Sequence, residues 1–472
     1  MEPKKKVLII EESLLFIAKK KYAQSIEKLE SMVSCLNTTE KNSFSIYIGS
    51  SFDMGYKCNL AYLLSKEYDL STNTITIFDS VEKLNEILTL AIYDFANIDK
   101  KVLLYLGKFP AFGFDVDGGS ILAKQLIDTL KVRCKLDVGF IRKNKEVYVD
   151  NQINNIIYTE YIDAFNNKFT RRMKNMETNK NILARYSDYD HVITAHTSKF
   201  FGMEPSKNEF WNKAILFPMF CTSSYLRANE TVPKEYTVLE HGVINNVKKI
   251  ITPSVDEKKD LIADYKCDES KISVIYRGIA PDFHFDSSRE IVGCVQLIYI
   301  ASIKRQKNNI ESLKLLKELI LKGHEVKLNL VCTIQDKAIY EDMAKFIKQN
   351  NLQNNVQFHI ELVQSEIVTL MKRMHIGVSV SNWETFGRGI FECVSSGLPT
   401  FVYKKLKVIE NICGDNIGVM FSDDFIEMSN QIDAVIKNRD KYLLMRDSLK
   451  ILRNNVSYKR EQLLLINSIF NE

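Results

Sequence analysis

From about residue 101 the chain alternates short, β-branched apolar runs with stretches of helical period, the pattern of parallel α/β layers. KVLLYL (101–106) reads as a buried strand, followed by a glycine-bearing loop over 107–119 and the helix SILAKQLIDTL. VGFIR, HVITAH, AILFPMF, KKIITPS and ISVIYRG continue the strand series. A second series begins at Val295. The strand VQLIYIA leads through SIKRQK into a helix with apolar positions Ile310, Leu313, Leu316 and Ile320, stopped by Gly323. The strand VKLNLVC, a helix near 336–350, the strand NVQFH, a helix over 365–374, the strand IGVSVS, a helix from about 389 and the strand TFVY follow. The tail over 423–472 reads as helices.

This pattern predicts two doubly wound, Rossmann-like halves joined near 283–292, with ligands outside the carboxyl ends of the strands in the cleft between them. Residues 1–97 stand apart. KKVLII, SFSIYIG and NTITIFD look like strands separated by helical stretches, so this region reads as a small accessory α/β unit. The expected domains are 1–97, 98–288, 289–455, and a C-terminal helix over 456–472 returning to the N-terminal domain.

Composition narrows the function classes. A chain of 472 residues exceeds one core, and its balance of 45% apolar and 26% charged residues suits a soluble globular protein. Lys plus Arg exceed Asp plus Glu by 64 to 59. That surplus is too thin for the basic stripes of a nucleic-acid binder, though it helps gather anionic substrates. The cysteines are odd in number and none are in C-x-x-C spacing, which speaks against zinc or a disulfide framework and for a reducing compartment. The apolar run of the N-terminus is broken by Glu11 and Glu12, unlike a signal peptide. No stretch reaches the roughly 18 apolar residues of a membrane span. The expectation is a cytoplasmic protein without a transmembrane segment; peripheral membrane contact and an oligomer stay open.

The chemistry concentrates in SNWETFGRGIFECVSSGLP, 381–399. Glu384 lands at the carboxyl end of a strand. Gly387 and Gly389 let backbone approach a ligand, and free N–H groups at the start of the next helix suit a phosphate. Glu392, one turn in, faces the same cleft. A carboxylate disfavours phosphate, so its natural partners are sugar hydroxyls. Amides for a diphosphate between two acids for two sugars is what a nucleotide-sugar site needs.

Glu384 and Glu392 are separated by seven residues, and the string from Glu384 to Pro399 resembles the E-x7-E signature of retaining GT-B glycosyltransferases of family 4. The resemblance implies a GT-B fold, with Glu384 beside the transferred sugar, Glu392 on the ribose hydroxyls, and Phe386, Gly387, Arg388 and Gly389 at the diphosphate. IYIASIKRQKN resembles the family's Gly-Arg-x5-Lys loop, which makes Lys307 the phosphate-contacting lysine. Ala301 and Ser302 replace the family's glycine and arginine, so one cation is missing, with Lys304 or Arg305 as candidate substitutes. The stretch over 250–285 resembles the end of the family's first domain, with Ser254, Lys271, Ile275, Gly278 and Phe285 at matching places. Gly118 and Gly119 resemble its glycine loop, Gly119 for the donor and Gly118 for the acceptor; a tight helix-entry turn is the other reading. His196 ends a strand as either a catalytic cleft histidine bonding sugar hydroxyls or a satisfied core histidine. The family's Phe-His-Thr stands here as Phe220-Cys221-Thr222, with Thr222 as an acceptor candidate.

The resemblance covers about residues 101–470 and implies retention of anomeric configuration. The expected substrates are a nucleotide diphosphate sugar, UDP-linked, and an acceptor the residues do not name. No cofactor is expected, and without a D-x-D-type loop no metal. The alternatives are a non-catalytic GT-B subunit that binds acceptor or partner enzyme and, more distantly, a GT-B epimerase or phosphorylase.

Overall fold

The computed structural model describes residues 5–10, 44–49, 75–78, 99–106, 118–142, 153, 155–160, 167–218, 221–227, 230–286 and 288–470. By internal contacts the chain divides into two compact units, 1–98 with 463–472, and 99–462.

In the first unit β1 (Lys5–Ile10), β2 (Phe44–Gly49) and β3 (Ile75–Phe78) form a parallel sheet in that order, with Val7 opposite Ile46 and Ile46 opposite Ile75. The three strands are those the apolar runs predict. The intervening segments, expected as helices, lie outside the described residues.

The second unit holds two parallel sheets. The first contains β4 (Lys101–Leu106), β5 (Lys135–Arg142), β6 (Asn155–Glu160), β7 (His191–Thr194), β8 (Ala214–Leu216), β9 (Lys249–Thr252) and β10 (Ile272–Val274). Their order is β10-β9-β8-β7-β4-β5-β6. The second contains β11 (Val295–Ile300), β12 (Val326–Cys332), β13 (Val356–Ile360), β14 (Ile376–Ser379), β15 (Thr400–Tyr403) and β16 (Val419–Ser422), in the order β13-β12-β11-β14-β15-β16. Counted within each half, both begin 3-2-1-4-5-6, the Rossmann order. Central strands are buried on both faces, as covered parallel sheets require: Val102 through Leu106 are at most 1% exposed.

The expected strands all form. Two more, β6 and β16, are absent from the sequence expectation. Both are edge strands, NIIYTE and VMFS, whose polar residues interrupt or end the apolar run.

Between the strands, helices bury one face. Asn309–Leu321 seats Leu313, Leu315, Leu316 and Leu319 against β11 and β12, and Gly323 stops it at φ +86°. The joining segment is tied to the second half by Arg446. Its fully buried guanidinium donates to the carbonyls of Gly397, Arg289 and Asp286. The helix Tyr458–Phe470 starts back at the first half. Ser457 bridges Ile279, and the Gly278 amide donates to Glu461 Oε2 at 2.8 Å. Gln125 of the helix Gly118–Leu130 donates to the Gly278 carbonyl at 2.8 Å. No helix among the described residues is long and apolar enough to cross a membrane.

Candidate functional site

In each sheet the chain leaves the first strand in one direction and returns on the other side of it, so a crevice opens at the carboxyl ends of β4 and β7, and of β11 and β14. The predicted donor residues collect at the second of these. Beyond β11 the chain makes the turn Arg305–Lys307, with Asn308 in the left-handed region at φ 52°, before the helix Asn309–Leu321 begins. Beyond β14 it runs through 380–387 into the helix Arg388–Ser395.

These two loops are strapped together. Asn382 N donates to the Gln306 carbonyl at 2.9 Å, and Gln306 Nε2 to the Trp383 carbonyl at 3.0 Å. Tyr299 OH donates to the Lys307 carbonyl at 2.5 Å and lies 3.0 Å from Ser381 Oγ. The strap brings Lys307 Nζ to 2.5 Å from Glu384 Oε1, a half-buried ion pair. Tyr299, Gln306 and Ser381 are functional supports that sequence reasoning missed. Tyr299 sits inside an apolar strand, where it reads as core.

Gly387 is the N-cap of the helix Arg388–Ser395, at φ +81°, and no side chain caps it. A residue with a Cβ adopts that conformation rarely. The first amides of the helix, those of Arg388 and Gly389, have no intrahelical partner and carry the positive end of its dipole. Gly389 presses on the end of β11: a Cβ there would lie 2.6 Å from Ile300 O. The Phe386 ring is 4% exposed and stacks on Phe391 at 4.8 Å, so only its backbone is available to a ligand.

Glu392 is 4% exposed and accepts from Arg388 Nε at 3.0 Å. Burial holds its carboxyl above the usual range against the opposing pull of Arg388. Arg388 Nη2 is buried without a partner among the described residues and is therefore available for a further acceptor. Lys304 has its pKa lowered, first by burial and then by Lys307, while Glu384 counteracts. Arg305 is exposed. Ser302 carries no charge and accepts from Thr333 Oγ1 at 3.1 Å.

The remaining predicted residues belong to the first half. Gly118 and Gly119 open the helix Gly118–Leu130, while the loop over 107–117 lies outside the described residues. His196 Nδ1 accepts from Ser198 N at 3.1 Å, while its buried Nε2 has no partner among the described residues. Thr222 starts the helix Thr222–Arg227, and its amide donates to Glu240 Oε2 at 2.6 Å. Glu240 is fully buried, accepts also from Thr197 and Tyr265, and so fixes the exit of β7 against the exit of β8. The structure brings Lys307, Glu384, Arg388, Gly389 and Glu392 together, with His196 and Thr222 apart from them at the first sheet.

Residues 283–455 match the family described as Glycosyl transferases group 1. Among curated proteins, the chain is similar to the GDP-Man:Man(3)GlcNAc(2)-PP-Dol alpha-1,2-mannosyltransferase of Neurospora crassa, 26% identical over 134 residues. That alignment covers 26% of this chain and 24% of the relative, so the chain matches about a quarter of that protein's length. Among solved structures it is similar to a sucrose-phosphate synthase from Thermosynechococcus elongatus, with TM-score 0.63 and 14% identity over 78% of this chain and 97% of the other. WaaG, a glycosyltransferase involved in lipopolysaccharide biosynthesis, gives 0.61 and 14% over 79% and 100%. HepE of Anabaena, in complex with UDP and glucose, gives 0.57 and 13% over 78% and 97%. These likenesses establish the fold as GT-B, with two Rossmann-like domains. The fold is thus GT-B, and the match to Glycosyl transferases group 1 spans residues 283–455, its second half.

Proposed function

We propose that this chain moves a glycosyl group from a nucleoside diphosphate sugar to an acceptor with retention of anomeric configuration, as family 4 enzymes do. The observation that carries the reading is one cluster: the Lys307–Glu384 pair at 2.5 Å, beside the uncapped amide end of a helix that buries Glu392 one turn in. Lys307 and the Arg388 and Gly389 amides supply positive charge where the diphosphate gathers negative charge on leaving. Glu384, released from Lys307 when phosphate takes that lysine, accepts from hydroxyls of the transferred sugar. Glu392 accepts from the ribose while Arg388 turns its free Nη2 to phosphate. The leaving diphosphate takes the acceptor's proton, and the protein contributes position and charge. The donor is proposed as UDP-linked, the nucleotide held in the HepE structure.

A second reading, a GT-B chain that binds acceptor or partner without turning donor over, draws on Ser302 and Cys221, where the family pattern has an arginine and a histidine. Donor hydrolysis separates the two. Incubating the full chain with UDP- and GDP-linked sugars should release nucleoside diphosphate slowly. Glu384→Gln should cut that rate by about a hundredfold, the order of a lost transition-state contact, while leaving nucleoside diphosphate affinity near wild type. No release from any donor, with nucleotide still bound, would favour the second reading.

A further inference from the structure

A second group of charges stands at the other crevice, and the donor chemistry does not use it. β4 and β7 are neighbours from which the chain departs to opposite sides, so a ligand crevice lies at their carboxyl ends. His196 leaves β7 there, and the turn Thr197–Lys199 places Lys199 next to it. Lys199 Nζ lies 5.1 Å from the centroid of the Tyr105 ring and, among the described residues, meets no carboxylate. Arg172, on the helix Lys168–Lys174, spends its Nη1 on neutral groups, donating to Tyr225 OH at 2.7 Å and Tyr236 OH at 3.5 Å. Lys168 sits 4.5 Å over the Tyr225 ring and is ion-paired with Glu230. The fields of Arg172, Lys199 and Lys168 all fall on His196, whose buried Nε2 has no partner among the described residues.

Cations held in low dielectric without a counter-ion are costly, and an anion arriving between them recovers that cost. Burial, helped by Arg172 and Arg171, pushes Lys199 down to about 7, the expected mark of a cationic site with nothing in it to balance the charge. Lys304, beyond β11, feels the charges of both Lys168 and Glu230 from the first half.

We propose that Lys199, Arg172 and His196 Nε2 receive a phosphoryl group on the acceptor, so that the acceptor is a phosphate-bearing molecule. The proposal rests on the glycosyltransferase reading for the word acceptor, but the anion site itself does not. A phosphate monoester carries up to two negative charges and three acceptor oxygens, which suits two cations and an imidazole better than a single carboxylate does.

The test titrates the full chain, first saturated with whichever of UDP or GDP it binds, with inorganic phosphate, with glycerol 3-phosphate, and with phosphatidylcholine vesicles with and without phosphatidate. Wild type should bind phosphate. Lys199→Met should bind it about tenfold or more weakly, the loss of one charge-assisted hydrogen bond, and Lys199→Arg should restore most of the affinity. Melting temperature and nucleoside diphosphate affinity should hold in both variants. A gain with glycerol 3-phosphate identifies a soluble phosphoester acceptor, and a gain only with phosphatidate vesicles a lipid phosphate; both support the site if Lys199→Met removes them. Equal phosphate binding by wild type and Lys199→Met, or none by wild type, overturns the inference. Failure of the chain to bind either nucleotide would instead sink the donor reading and leave the anion site standing.

Discussion

A methyl group added at Gly389 should damage the donor site through the backbone. The Cβ would lie 2.6 Å from the Ile300 carbonyl oxygen and 2.9 Å from Ile300 Cβ. A carbon in close contact with a carbonyl oxygen keeps roughly 3.3 Å, so the helix Arg388–Ser395 must retreat from β11 by about 0.7 Å. Ile300 cannot give way, because its strand pairs with both β12 and β14. Overpacking of this kind costs about 1–3 kcal/mol of stability. The retreat also carries the Arg388 and Gly389 amides off the position where a phosphate would sit. Displacements near 1 Å cost reactions up to about a hundredfold, so nucleoside diphosphate affinity should fall at least about tenfold in Gly389→Ala. Titration calorimetry with UDP and GDP reads the affinity, and thermal melting reads the stability. Gly242→Ala is the matched control: it lies in the helix Lys234–Asn246 with open space around its Cβ, so it should leave binding alone and add up to about 1 kcal/mol. Wild-type affinity and melting in Gly389→Ala would refute the claim that the helix start is held against β11 to present its amides.

Lys307→Met should weaken nucleoside diphosphate binding by about 1.5–3 kcal/mol, read by the same titration, because Ser302 offers no second cation. Hydrolysis of donor should survive a chelator, since Lys307 and the amides supply the charge; abolition by EDTA with rescue by Mn²⁺ would contradict that. Glu257, whose two oxygens are buried without partners among the described residues, is pushed up to about 8 by burial against the pull of Arg277. The folded chain therefore keeps a proton there that the unfolded chain, near 4.5, gives up. Stability from this group is present at low pH and declines as pH rises between about 4.5 and 8, by at most on the order of 5 kcal/mol. Denaturant midpoints at both ends of that window should converge in Glu257→Gln, and an unchanged decline would remove Glu257 as its source.

Much of this architecture was legible because parallel strands buried on both faces must be continuous apolar runs. KVLLYL and VQLIYIA are such runs and became β4 and β11. NIIYTE and VMFS are edge strands with one neighbour, so burial does not demand such a run, and the expectation passed over them. At the site, Glu384 stood out because a charged residue and two glycines follow an apolar strand, and Lys307 because its loop resembles the family's phosphate loop. What joins them could not be read: Tyr299 and Gln306 act through partners 8 to 82 residues away that only the fold brings near. The same holds for Lys199, which in the text HVITAHTSKF is an ordinary polar residue after a strand. Its isolation from carboxylates among the described residues is a property of the packed helix Lys168–Lys174 and the Tyr105 ring, not of any spacing.

In the proposed reading Glu392 holds the ribose of a nucleoside diphosphate donor. Titrating UDP and GDP into the full chain and into Glu392→Ala tests it most directly. Wild type should bind at least one of the two, and the variant should lose roughly a hundredfold in that affinity as two hydrogen bonds to a charged acceptor disappear. Equal affinity in both proteins, or no binding of either nucleotide by wild type, would contradict the account.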